Sequence, residues 1–142
     1  MALTLLENIC KKYDIMLFYL FGSQQAAGMR LLQGEKVTVT DPLTDIDVGV
    51  VFRNELPPPY PRVKLYADLY NDLVDFFVPF HLDLTLLQEN HSVFQLEAVA
   101  RGTCVYSADE DWREHYEMNI MRRAADFQWV LDKFYEEKLA DY

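Results

Sequence analysis

Positive charge is in short supply in this chain. Thirteen Lys and Arg stand against 23 Asp and Glu, a formal net charge of −10. A protein that holds nucleic acid through its backbone replaces counterions with basic side chains. Stable nucleic-acid binding is therefore not expected, and a small molecule or a protein is the favoured substrate. Cysteine is nearly absent: Cys10 and Cys104 stand alone, with no CxxC pair. That excludes a disulfide scaffold and points to a reducing compartment, with both thiols read as small buried hydrophobes. His81, His91 and His115 are scattered without HxxxH spacing, so a zinc site is not expected. No apolar run is long enough to cross a bilayer. The N-terminus has no cationic lead, and Glu7, Lys11 and Lys12 interrupt its apolar residues, unlike a signal peptide. A cytoplasmic protein without membrane contact is the expectation.

What is present is ample core material. Hydrophobic residues make up 51% of 142, enough for a single domain over residues 1–142. Leu6, Ile9, Cys10 and Tyr13 follow helical spacing within 3–12. Ile15–Phe21 is a continuous apolar run and reads as a buried strand ending at Gly22-Ser23. Ser23 as N-cap and Gly34 as C-terminal stop bracket a second helix. Lys36–Thr40 alternates, as in a short strand or hairpin, and Asp41-Pro42 marks a turn. Asp45–Phe52 reads as a second core strand. Pro57-Pro58-Pro59 and Pro61 lead into a helix with Leu65, Leu69, Leu73 and Phe76 on one face. His81–Leu87 alternates as a third strand. Ser92 and Gln95 form a capping-box pattern for a helix that Gly102 ends. Thr103–Tyr106 is a brief fourth strand. A long helix from about 109 to 138 carries Ile120, Ala124, Phe127, Leu131 and Phe134 on one stripe. Strands interleaved with helices predict an α/β (α+β) domain, a small mixed sheet with helices packed on it.

The residues that carry chemistry are acidic. In a strand, residues two apart share a face, so Asp45, Asp47 and Gly49 point one way. Two carboxylates about 6–7 Å apart can close on hard cations, and Gly49 removes bulk beside them. A solvated strand end explains such a pair equally simply. Asp83, on a face with His81 and Thr85, is a carboxylate within an otherwise apolar strand. Burying it alone would be costly. A metal shared with the first pair removes that cost; a salt bridge, or a face open to water, are the alternatives. His81 reads as a solvated strand-end residue or a neighbour of the metal. Gly22-Ser23, between a strand and a helix N-terminus, offers free N–H groups and partial positive charge to a phosphate. The simpler reading is a capped helix.

Together, Phe21-Gly22-Ser23, Thr44-Asp45-Ile46-Asp47-Val48 and His81-Leu82-Asp83-Leu84 resemble the polymerase β-like nucleotidyltransferase superfamily. The segment Glu97-Ala98-Val99-Ala100-Arg101-Gly102-Thr103-Cys104-Val105-Tyr106 resembles the helix–glycine–strand of its minimal members, the MNT antitoxins paired with HEPN-domain toxins. The resemblance implies two Mg²⁺ ions held by Asp45, Asp47 and Asp83, with ATP as donor and its phosphates on Gly22 and Ser23. Asp83 would also act as general base. It implies transfer of AMP to a tyrosine of a cognate HEPN toxin. Two departures stand out. Twenty-one residues separate Ser23 from Asp45, longer than is usual for the family, which puts the segment Gly34–Thr44 at the rim of the site. Gln24-Gln25 stands where an arginine often follows the serine, leaving Arg30, Lys36 or Arg53 to supply charge. The C-terminal stripe, with Trp112, Trp129, Tyr135 and Tyr142 beside it, either packs on its own sheet or meets a toxin or a second copy. An antitoxin that neutralises by binding alone, with little or no catalysis, is one alternative. A nucleotidyltransferase for a small molecule is another, though such relatives carry an extra substrate domain. An RNA-adding enzyme is disfavoured by the acidity.

Overall fold

The computed structural model describes residues 2–41 and 43–140. Pro42, the second half of the expected turn, and Tyr142 lie outside the described residues. Four strands form one sheet: β1 (Ile15–Phe21), β2 (Asp45–Phe52), β3 (His81–Leu86) and β4 (Thr103–Ser107), in the order β3-β2-β1-β4. β1 runs antiparallel to both β2 and β4, while β2 and β3 are parallel. The parallel pair needs a crossover, which α3 (Pro59–Leu73) supplies. The remaining helices are α1 (Ala2–Lys12), α2 (Gln25–Leu32), α4 (Ser92–Arg101) and α5 (Glu110–Ala140). Among the described residues no helix is long and apolar enough to cross a membrane.

The sheet separates two cores. Phe18, Leu20, Ile46, Val48, Val50, Leu82, Leu84 and Leu86 face one way and join Leu6, Leu32, Leu69 and Leu73 from α1, α2 and α3. Leu17, Tyr19, Phe21 and Val51 face the other way, with Ala98 of α4 and Trp112 and Tyr116 of α5. β1 is covered on both faces, so its run is apolar at every position. β3 is covered on one face only. Its buried leucines alternate with exposed His81 and Asp83.

Several local expectations change. Ser23 does not cap α2; Gln24 holds the N-cap position and makes no side-chain capping bond. Gly34 does act as the stop, at φ +86, with its N–H on Leu31 O. Lys36–Thr40 forms no strand. Val37 and Val39 instead anchor an extended loop onto the α1–α3 core, and alternate side chains of any extended segment point alternate ways. The cap of α4 is His91, whose Nδ1 accepts from Val93 N at 3.2 Å. Gln95, buried, donates to Asn90 O and accepts from Tyr116 Oη at 2.6 Å. At α5, Asp109 caps by accepting from Asp111 N and Trp112 N.

The C-terminal stripe does not pack on the sheet along its length. Ile120 and Ala124 are buried, and Phe127 meets His91 edge-on with centroids 4.2 Å apart. Beyond it the helix is exposed apart from half-buried Leu131. Trp112 is packed, whereas Trp129, Phe134 and Tyr135 stand in solvent. The expectation for the thiols holds for Cys10, buried and pushed up to about 12 chiefly by burial. Cys104 is only half-buried, yet desolvation pushes it up to about 11.

Candidate active site

Strand directions bring three chain segments to one end of the sheet. β1 ends where antiparallel β2 begins, and β3 begins there too. The register sets Phe21 against Asp47, Asp47 against Asp83, and Asp45 against His81. Side chains of directly paired residues project to the same face, so Asp47 and Asp83 are immediate neighbours. This face is the one that carries α4 and α5.

Gly22 closes the arrangement. It sits at φ +76, and a Cβ there would run into the Asp47 carboxylate. Glycine is required on both counts, since L-residues with a side chain avoid that backbone region. The contact puts the carboxylate against the chain's turn into α2. Ser23 is exposed, and its hydroxyl makes no hydrogen bond among the described residues, so it is available as a donor. The room expected beside Gly49 is taken: a Cβ there would lie 3.0 Å from the Leu87 side chain.

The electrostatic load falls on a different carboxylate from the one expected. Asp83 is exposed, because its strand face is open, so the cost of a buried lone charge does not arise there. Asp47 is half-buried, and its carboxyl is pushed up to about 6. Desolvation is the largest cause, followed by the hydrogen bond and charge of Asp83 and then the charge of Asp45. Asp45, two residues back along β2, has its Oδ1 3.5 Å from His81 Nδ1. His81 is therefore both solvated and a neighbour of the acidic group. His91 is a helix cap, and His115 Nδ1 lies 2.7 Å from Asp111 O.

Asp45, Asp47 and Asp83 offer the oxygen donors that a hard divalent cation takes, and Asp47 alone of the three lies against Gly22. Among the described residues no three His, Cys, Asp or Glu side chains lie close enough together to hold a metal ion as they stand.

Two neighbours of the site were not legible in advance. Phe94 of α4 meets Phe21 edge-on, centroids 6.0 Å apart, placing an apolar wall beside the register partner of Asp47. Gln25 Nε2 donates to Gly22 O at 3.3 Å and to Arg101 O at 2.9 Å, while Gln25 Oε1 accepts from Thr103 Oγ1 at 2.9 Å. No motif marks either residue. Both depend on how α4 lies across the sheet. Arg30 pairs with Glu35 at the far end of α2, and Arg53 pairs with Asp14 at the opposite end of the sheet.

A four-stranded mixed sheet with a glycine turn facing an Asp-x-Asp strand is the fold of a nucleotidyltransferase. A sequence model of the family described as "Polymerase beta, Nucleotidyltransferase" matches residues 5–111, and the chain belongs to that family. No curated protein matches the sequence. Among solved structures, a chain of a toxin–antitoxin crystallised with AMP-PNP superposes with TM-score 0.63 at 18% identity, covering 98% of this chain and 99% of that one. A chain from the tri-AMPylated HEPN toxin in complex with MNT antitoxin of Shewanella oneidensis gives 0.61 at 16%, covering 97% and 96%. A chain of the MntA–HepT toxin–antitoxin gives 0.61 at 15%, covering 97% of each. At these identities the likeness is one of fold.

Proposed function

We propose that this chain is a metal-dependent nucleotidyltransferase that moves AMP from ATP to a tyrosine of a cognate HEPN toxin, and so acts as its antitoxin. The observation that carries the reading is the pairing of Asp47 with Asp83 in register, against a glycine whose α-carbon touches the Asp47 carboxylate. The likeness to toxin–antitoxin structures supports the choice of acceptor.

Two Mg²⁺ ions held by Asp45, Asp47 and Asp83 would neutralise phosphate charge and lower the pKa of the attacking hydroxyl. The chain's own residues do the rest. The Gly22 turn admits the phosphates to the backbone, and the Ser23 hydroxyl donates to a phosphate oxygen. Asp83, exposed on the open strand face, accepts the proton of the acceptor tyrosine. The tyrosine oxygen bonds to the α-phosphorus, the bond to the bridging oxygen breaks, and pyrophosphate departs. The exposed half of α5 provides the surface for the acceptor protein.

The test mixes the chain with the product of its neighbouring gene and ATP labelled in the adenosine moiety. Label should appear on the neighbour with wild type and vanish with Asp47→Asn. Neutralisation of the toxin without label, unaffected by Asp47→Asn, would replace this reading with an antitoxin that acts by binding. Label on a small molecule instead would move the acceptor.

A further inference from the structure

The sheet end that would receive ATP gathers three carboxylates, and a triphosphate brings further negative charge to it. Protein cations are scarce there. The Lys and Arg of α1 and α3 belong to the layer on the opposite face of the sheet. Lys36 sits in the loop that Val37 and Val39 fasten to that same layer. On α5, Arg113 is bonded to Glu117 beneath Tyr19, Arg122 to Asn119 and Lys133 to Glu136, while Arg123 and Lys138 lie further along the same helix.

Arg101 differs in its place beside the glycine turn. It is the last residue of α4, which lies on the carboxylate face. Gln25 bridges the carbonyls of Gly22 and Arg101 through one amide nitrogen and is itself held by Thr103. A single side chain thus clamps the last turn of α4 to the glycine turn. No other Lys or Arg shares a hydrogen-bonded neighbour with Gly22 among the described residues. Among the described residues the guanidinium's one ion pair is with Glu97, at 3.6 Å, and its side chain is 78% exposed. Such an exposed i,i+4 contact is weak, so the side chain is free to turn toward an incoming anion.

We propose that Arg101 is the cation that receives the β- and γ-phosphates of the nucleotide at the Gly22–Ser23 turn. This rests on the nucleotide-donor reading above. A planar guanidinium suits phosphate oxygens, which it meets with two parallel N–H bonds.

Calorimetric titration with AMP-PNP and Mg²⁺ tests it. Arg101→Ala should weaken binding roughly ten- to a hundredfold, the range of a charged hydrogen-bonded contact. Arg101→Lys should recover part of the loss. AMP, which lacks the outer phosphates, should compete equally well against wild type and Arg101→Ala, and both should melt at the same temperature. Lys36→Ala should bind as wild type does. Wild-type affinity in Arg101→Ala, or a matching loss toward AMP, overturns this inference alone. No binding by the wild-type chain overturns the donor reading and this inference with it.

Discussion

Replacing Asp47 with Asn should make the metal-free protein more stable at neutral pH while removing its activity. The folded environment holds the Asp47 carboxyl at about 6, chiefly through desolvation. A carboxyl raised on folding destabilises when ionised. The penalty is absent below about pH 4, grows as pH rises to about 6, and is complete above that. Two pH units correspond to roughly 3 kcal/mol for a fully buried group. Asp47 is only half-buried and water screens it, which leaves about 1 kcal/mol. With an unfolding entropy near 0.3 kcal/mol/K for this length, that is a Tm gain of about 3 °C. Thermal melts of both proteins at pH 7.5 and pH 4.5, with EDTA or with excess Mg²⁺, provide the assay. Without metal, Asp47→Asn should melt higher at pH 7.5, and the gap should narrow to about a third at pH 4.5. With Mg²⁺ the order should reverse, because only the wild type gains from a ligand bound to the folded state. A metal-free Asn variant that melts lower than wild type at pH 7.5 refutes the argument, as does a gap that is indifferent to pH.

Other substitutions probe the supporting structure. Gly22→Ala forces a side chain into the Asp47 carboxylate at positive φ, so it should cost about 1–3 kcal/mol and abolish labelling, read by melting and by transfer assay. Tyr19→Phe removes the 2.6 Å bond to Glu117, which keeps Arg113; chemical denaturation should show a loss of about 1–2 kcal/mol. On α5, Ile120→Ala should cost about 2–4 kcal/mol. By contrast, Phe134→Glu should leave Tm unchanged within about a degree or two and weaken capture of the acceptor protein in a pull-down.

Much of the frame was legible because it depends on local pattern. β1 and β2 have the bounds expected from the apolar run and from Asp45, since a strand buried on both faces and a strand opened by an acidic pair announce themselves in order. The chemical group was legible for the same reason: strand parity alone puts Asp45 and Asp47 on one face. What escaped depends on contacts between distant segments. Ser23 and Ser92 are good caps by type, yet Gln24 and His91 take those positions, because one-residue shifts at helix starts follow the entering chain. Asp83 lies on the expected face, but its exposure depends on β3 being an edge strand, which sheet order decides. The Gln25 clamp joins residues 76 apart, and nothing in the local sequence marks it.

The length of α5 has its own consequence. At 31 residues it extends about 46 Å, and the fold uses the first half. The described residues past Phe127 are exposed apart from half-buried Leu131. Selection on them is therefore uncoupled from selection on the sheet and its carboxylates. The terminal turns are free to drift in company with whatever surface they meet, without a cost to the packing of the sheet. Exchanging those turns between related chains should transfer the choice of partner without disturbing the chemistry.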